Sequence, residues 1–285
     1  MVLRELLKPS SLLGNVVRSA RIFGHKVREI IVGSVRTNYE IVNELAAFSP
    51  NWSPVGAFRA EGALTLESAQ QTFPLICSLV EAASKSLIAP QPIETLFPTQ
   101  KSGNEAAELA ALFNQYGSDK STAHDYHLVY APLLGSRRSD PLRMLEIGVG
   151  TKKPGASLRA FRDFCPKGLV FGADIDRSLL FDEDRIRTYY VDQTRSSSFD
   201  ELYSNLANNM FDLVIDDGLH TPNANIATMI FALKILRPLG IFIAEDIKLS
   251  SLPIWQVVAA LLPKNFNPKI IQAKGGLLFM IKKPI

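Results

Sequence analysis

Met144-Leu145-Glu146-Ile147-Gly148-Val149-Gly150 is the stretch on which the reading of the fold depends. The apolar run from Leu142 to Ile147 has the length of a buried strand and passes straight into glycines. Beyond them come Gly155 and a helix-compatible run, Ala156-Ser157-Leu158-Arg159-Ala160-Phe161. A strand ending in a glycine turn that opens a helix is how doubly wound α/β folds build a nucleotide site. Glycine lets the backbone approach a ligand closely, and the crevice lies at the carboxyl ends of the strands. Lys153 stands where a Gly-x-Gly-x-x-Gly pattern would place its third glycine. That counts against a dinucleotide and leaves room for another adenosine cofactor.

Downstream, strand and helix patterns alternate. Strands are expected at 169–174, 187–191, 211–215 and 240–244, with spacing that suits right-handed parallel crossovers. Ser198-Phe199-Asp200-Glu201 reads as a capping box at a helix start. Two last strands, 268–272 and 277–282, flank Gly275-Gly276, a hairpin signal that gives the sheet one antiparallel edge. The expected fold is therefore α/β: a seven-stranded, mainly parallel, Rossmann-like sheet over 101–285 with a helical N-terminal appendage over 1–100.

The appendage has its own character. Residues 1–36 hold seven basic side chains against Glu5 and Glu29, and their apolar residues recur at near-helical spacing. This predicts one or two amphipathic helices, with oligomerisation favoured over membrane-surface contact. Residues 38–88 read as mostly helical, and Pro90, Pro92 and Pro98 mark a linker. The region as a whole is assigned to oligomerisation, a lid or substrate selection. Net charge over all 285 residues is only +3, which gives no argument for nucleic acid. No apolar run reaches the roughly 18 residues of a membrane span. Two distant cysteines, Cys77 and Cys165, read as reduced structural thiols, and with no signal-peptide pattern a cytoplasmic setting is expected.

The polar residues cluster at strand ends. Asp174 closes the second strand, where an acid accepts hydrogen bonds from ribose hydroxyls. Asp192-Gln193 closes the third and is placed at the adenine edge. The fourth strand delivers Asp216-Asp217-Gly218-Leu219-His220, and the fifth delivers Glu245-Asp246. Three carboxylates meeting at one rim repel unless a cation sits among them, and hard oxygen ligands suit Mg2+. Neighbouring strand residues face opposite ways, so Asp217, three residues from His220, is taken as a ligand with Glu245 and Asp246. Asp216 is left to line the cofactor side. His220 is the candidate general base for a metal-held hydroxyl. Upstream, the polar run 116–126 reads as a lid whose Asp119, Lys120 and His124 reach the cofactor's amino-acid end or the substrate.

Glu-x-Gly-x-Gly at Glu146–Gly150 resembles the first motif of class I S-adenosylmethionine-dependent methyltransferases, and implies Glu146 and Gly148 as cofactor contacts. Asp217-x-x-His220 with Glu245-Asp246 at the next strand end resembles the metal-dependent sugar O-methyltransferases of macrolide tailoring, the macrocin and mycinamicin type. Gly117-Ser118-Asp119-Lys120 with His124 and Tyr126, and the run Pro154-Gly155-Ala156-Ser157-Leu158, are similar to the same family, which adds Lys120 and Ser157 to the cofactor set. The resemblance covers about residues 105–285. It implies methyl transfer from S-adenosylmethionine, with Mg2+, to a hydroxyl of a sugar, glycoside or similar vicinal diol. The insert Thr151-Lys152-Lys153-Pro154 departs from the compact glycine loop of generic methyltransferases. Two readings compete. An NAD(P)-dependent oxidoreductase explains Gly148, Gly150 and Asp174 but not the acids with His220. A non-catalytic cofactor-binding assembly subunit leaves the same acids idle.

Overall fold

The computed structural model describes residues 61–82, 87–97, 104–206 and 210–285. The amphipathic stretch 1–36 lies outside them. Two compact units divide the chain, Met1–Leu79 and Val80–Ile285. Helix α1 (Glu61–Ala82), with Pro74 inside it, carries the described residues of the first unit, its last turn falling in the second. The stretch expected to be a linker contributes to the second unit instead. Gln91–Pro92 forms a short strand, β1, and the single turn α2 (Ile93–Leu96) buries Ile93.

The remaining strands are β2 (Arg143–Ile147), β3 (Leu169–Asp174), β4 (Asp182–Glu183), β5 (Ile186–Tyr190), β6 (Phe211–Asp216), β7 (Leu236–Ile247), β8 (Lys269–Ala273) and β9 (Gly276–Lys282). They form one sheet in the order β1-β8-β9-β7-β6-β2-β3-β5-β4. The class is the expected one, with nine strands rather than seven. The two extra strands, β1 and β4, are two-residue edges, too short to show any alternation. A second difference concerns the hairpin. β9 is antiparallel to both neighbours, β7 and β8, so the reversed strand lies inside the sheet and not at its edge. Its Leu277-Leu278-Phe279-Met280-Ile281 run is buried throughout, which demands cover on both faces and pairing on both sides.

Helices cover both faces. α3 (Glu105–Tyr116), α4 (His127–Leu134) and α5 (Ala156–Phe164) bury Leu109, Phe113, Tyr130, Leu158 and Phe161 against Met144, Val170 and Leu213. α6 (Ser196–Asn205), α7 (Pro222–Ile235) and α8 (Leu252–Leu261) pack Phe199, Phe231 and Trp255 against Leu145, Phe171 and Val214. Successive strand residues such as Met144 and Leu145 thus serve opposite cores, the reason these strands read as unbroken apolar runs. The capping box at Ser198 does not form. α6 starts two residues earlier, and the Ser198 hydroxyl accepts from the Asp192 backbone N–H at 2.8 Å. Strand order reverses about β2, with β3 on one side and β6 on the other. A ligand crevice belongs at that switch point, beyond the strand ends.

Candidate active site

Gly148 leaves β2 at φ +99°, a conformation L side chains avoid, and its N–H donates to Ala173 O at 2.7 Å. A Cβ there would lie 2.1 Å from the Asp217 carbonyl oxygen. The glycine therefore lets the turn after β2 touch the turn after β6, where the Asp217 N–H donates to Ile147 O at 2.8 Å. Asp174, at the end of β3, accepts from the N–H of Val149 at 2.8 Å and of Asp176 at 2.9 Å. One carboxylate thus fixes both loops that frame a cleft of about 320 Å³, which it lines with Gly148, Asp192 and Gln193. Ile175 and Leu219, both largely exposed, add apolar surface to that cleft. Neither stands out in sequence, because an exposed aliphatic side chain after a strand has no pattern of its own.

A second cleft of about 390 Å³ adjoins the first and is lined by Lys120, Gly148, Ser157, Asp217, His220 and Asp246 among others. β6 and β7 pair so that Asp216 lies beside Ala244, which brings the next residues, Asp217 and Glu245, to one rim. The β7–β9 register shifts between Ala244 and Ile247, and Asp246 sits at φ +53°. This irregularity re-aims side chains that strict alternation would separate. His220 is also left-handed, φ +55°, in the turn before α7. Such non-glycine conformations cost about 1–2 kcal/mol each and collect where a side chain must be aimed. Here they bring Asp217, His220 and Asp246 together, one ligand atom of each lying within 4.8 Å of the others. His220 Nε2 is 3.8 Å from Asp217 Oδ1 and 3.9 Å from Asp246 Oδ2.

Behind this trio the acids are neutralised by the chain itself. The Lys120 ammonium, 2% exposed, lies 2.7 Å from Asp217 Oδ2 and 3.2 Å from Glu146 Oε1, and donates to Glu245 Oε2. Burial works against its charge, but the Asp217, Glu245 and Glu146 carboxylates outweigh burial and hold its pKa well above the ordinary value. Burial pushes the Glu245 carboxyl well up, with Lys120 opposing. Tyr130 donates to Glu245 Oε1 and Tyr126 to Asp246 Oδ1. Ser157 donates to Glu146 Oε2 at 2.6 Å. Tyr130 went unnoticed in sequence, although its position four residues after Tyr126 puts both on one helical face.

Several expected contacts are placed differently. Lys120 lines the second cleft, with its ammonium paired to Glu146, Asp217 and Glu245. Asp216 is fully buried, accepting from Gln193 Nε2 at 2.7 Å and Asn225 Nδ2 at 2.9 Å, and lines neither cleft. Gln193 lines the cleft, yet its amide is spent: Nε2 also donates to Thr228 Oγ1 at 2.8 Å, and Oε1 accepts from the Leu219 N–H at 2.8 Å. It clamps the 216–219 turn. Asp192 accepts from Thr194 N and Oγ1 and remains on the cleft wall.

Parts of the chain are similar to known proteins. The chain is 33% identical over 159 residues to an 8-demethyl-8-alpha-L-rhamnosyl tetracenomycin-C 2'-O-methyltransferase of Streptomyces olivaceus, covering 54% of this chain and 41% of that protein. It is 35% identical over 150 residues to a mycinamicin VI 2''-O-methyltransferase of Micromonospora griseorubida, covering 50% and 37%. The structure matches MycE methyltransferase from the mycinamycin biosynthetic pathway, in complex with Mg, SAH and mycinamycin VI. That match has a TM-score of 0.53 at 25% identity and covers 62% of this chain and 55% of the other. The chain resembles the macrolide-sugar O-methyltransferases. It spans less than half the length of these two curated relatives, and no family model matches it.

The donor set fits a divalent ion such as the Mg of the MycE complex. Asp217 Oδ1 and Asp246 Oδ2 are hard oxygens, partly exposed on the cleft, with an imidazole nitrogen beside them. Glu245 stands differently: it is wholly buried, and both its oxygens already accept from Tyr130 and Lys120. Among the described residues no helix is long and apolar enough to cross a membrane.

Proposed function

We propose that this chain transfers a methyl group from S-adenosylmethionine to a hydroxyl of a sugar, glycoside or similar vicinal diol, with Mg2+ at Asp217 and Asp246. The observation that carries the reading is the convergence of Asp217, His220 and Asp246 at the mouth of a glycine-framed cleft. The relatives' names, a rhamnosyl tetracenomycin-C and a mycinamicin VI O-methyltransferase, support a sugar hydroxyl as acceptor.

Glu146, Gly148 and Asp174 frame the cofactor, with Ile175 and Leu219 offering apolar surface to a base and Ser157 steadying Glu146. S-adenosylmethionine supplies a methyl group on a sulfonium, an electrophile that needs no acid help. A divalent ion supplies Lewis acidity that eases loss of the acceptor's proton. Asp217 and Asp246 would hold the ion, and Tyr126 steadies Asp246 by hydrogen bonding. His220 Nε2 takes the hydroxyl proton as the oxygen attacks the methyl carbon, and the neighbouring carboxylates stabilise the imidazolium formed. A cytoplasmic homo-oligomer assembled through residues 1–100 belongs to the same proposal, its assembly checked by light scattering on the full chain.

Transfer of labelled methyl from S-adenosylmethionine to rhamnosides and catechols, with Mg2+ or chelator, tests the reading. His220→Ala is expected to retain S-adenosylhomocysteine binding and to lose about 10²–10⁴-fold in turnover. Unchanged turnover in that variant removes the base assignment. Cofactor binding without transfer to any acceptor favours a scaffold.

A further inference from the structure

We propose that Lys120 is a built-in counter-cation that sets the affinity of the divalent-ion site. The inference rests on the reading of Asp217 and Asp246 as that site. Lys120 is a positioning residue, acting through Asp217.

A buried ammonium is costly unless it is paired, and this one is paired three times over. Its partners, Glu146, Asp217 and Glu245, come from the ends of three adjacent strands, β2, β6 and β7. Without it, three carboxylates meet with no counter-charge, two of them buried and the third, Asp217, opening on the cleft. With it, the acidic rim assembles before any ion arrives. The decisive detail is that Asp217 is shared. Its Oδ2 is 2.7 Å from the ammonium, while Oδ1 faces His220 and the cleft. An ion on Oδ1 therefore meets a carboxylate already partly neutralised, next to a fixed positive charge.

Lys120 is also held so that it does not swing aside. It lies in a short helical turn, Asp119–Ser121, whose first backbone groups are tied down. Ser118 N–H donates to Phe113 O at 2.8 Å, Thr122 N–H to Asp119 O at 3.0 Å, and Lys120 N–H to Ser118 Oγ at 3.4 Å. Lys120 is the buried residue of the turn, and its ammonium sits 5.9 Å from the Tyr126 ring centroid. Position and charge are both built in.

The test is Mn2+ binding by calorimetry, together with thermal midpoints in chelator and in Mn2+. Wild type, Lys120→Met and Lys120→Arg are compared. Lys120→Met keeps the stem and removes the charge, so Mn2+ is expected to bind about tenfold tighter or more. Its midpoint falls in chelator and recovers more steeply with Mn2+ than that of wild type. Lys120→Arg keeps the charge and the wild-type affinity. Equal or weaker Mn2+ binding to Lys120→Met overturns the proposal, as does an arginine variant that behaves like the methionine one. Should Lys120→Met be unfolded in chelator, Mn2+ is expected to restore folding; a variant that stays unfolded with Mn2+ marks a plain core lysine and overturns the proposal. Wild type that binds no Mn2+ refutes the metal reading itself, and the inference with it.

Discussion

Gly148→Ala is the perturbation whose consequence follows most directly from the geometry. A methyl group there would stand 2.1 Å from the Asp217 carbonyl oxygen and 2.6 Å from its carbonyl carbon. Both are backbone atoms, and Asp217 is pinned by its N–H to Ile147 O at 2.8 Å. Gly148 is pinned in turn by its N–H to Ala173 O. The β6 turn must therefore retreat by about an ångström, at the overpacking cost typical of a tight site. Forcing alanine to φ +99° adds the left-handed penalty. Together these come to about 3 kcal/mol, or a thermal midpoint roughly 6–12 °C lower for a unit of this size. Because the displaced turn carries Asp217, S-adenosylhomocysteine and Mn2+ affinity should fall together. The assay is urea denaturation beside calorimetric titration of both ligands. A variant destabilised by less than about 1 kcal/mol, with both affinities intact, would refute the claim that this contact aligns the two turns.

Gln193→Ala strips Asp216 and Thr228 of a donor and the Leu219 N–H of an acceptor, so a loss of about 2–3 kcal/mol and weaker S-adenosylhomocysteine binding are expected. Unchanged stability in urea would mean that the amide does not clamp the turn. Burial pushes the Cys165 thiol up to about 12, whereas Cys77 is partly exposed. A thiol reagent at neutral pH should label Cys77 rapidly and Cys165 only as the protein unfolds; fast labelling of both would contradict the packing under α5.

The sheet was legible because its strands are buried on both faces and read as apolar runs ending in glycine or acid. The short edges β1 and β4 were not, since two residues carry no period. The position of β9 was missed for a related reason: Gly275-Gly276 announces a hairpin but not which arm lies inside. At the site, Asp174, Asp217, His220 and Asp246 were legible as polar residues at strand ends. Lys120, Glu146, Asp217 and Glu245 were each singled out, but their pairing was not, because the acids come from three strands joined only by the fold. Nor does local spacing reveal that Gln193 and Asp216 satisfy each other. The bulge and left-handed backbone that aim Asp246 and His220 are likewise set by tertiary contacts. Of the three carboxylates expected to share a cation, Asp217 and Glu245 lie against Lys120, whose third partner is Glu146, while Asp246 stands beside His220.

The central claim is that the cleft takes S-adenosylmethionine, and thermal stability with S-adenosylhomocysteine or NADH tests it most directly. A ligand at about 100 times its dissociation constant adds about 2.7 kcal/mol, a readily measured rise in midpoint. The account predicts that rise with S-adenosylhomocysteine, altered further by Mg2+, and none with NADH. A rise with NADH alone would contradict it.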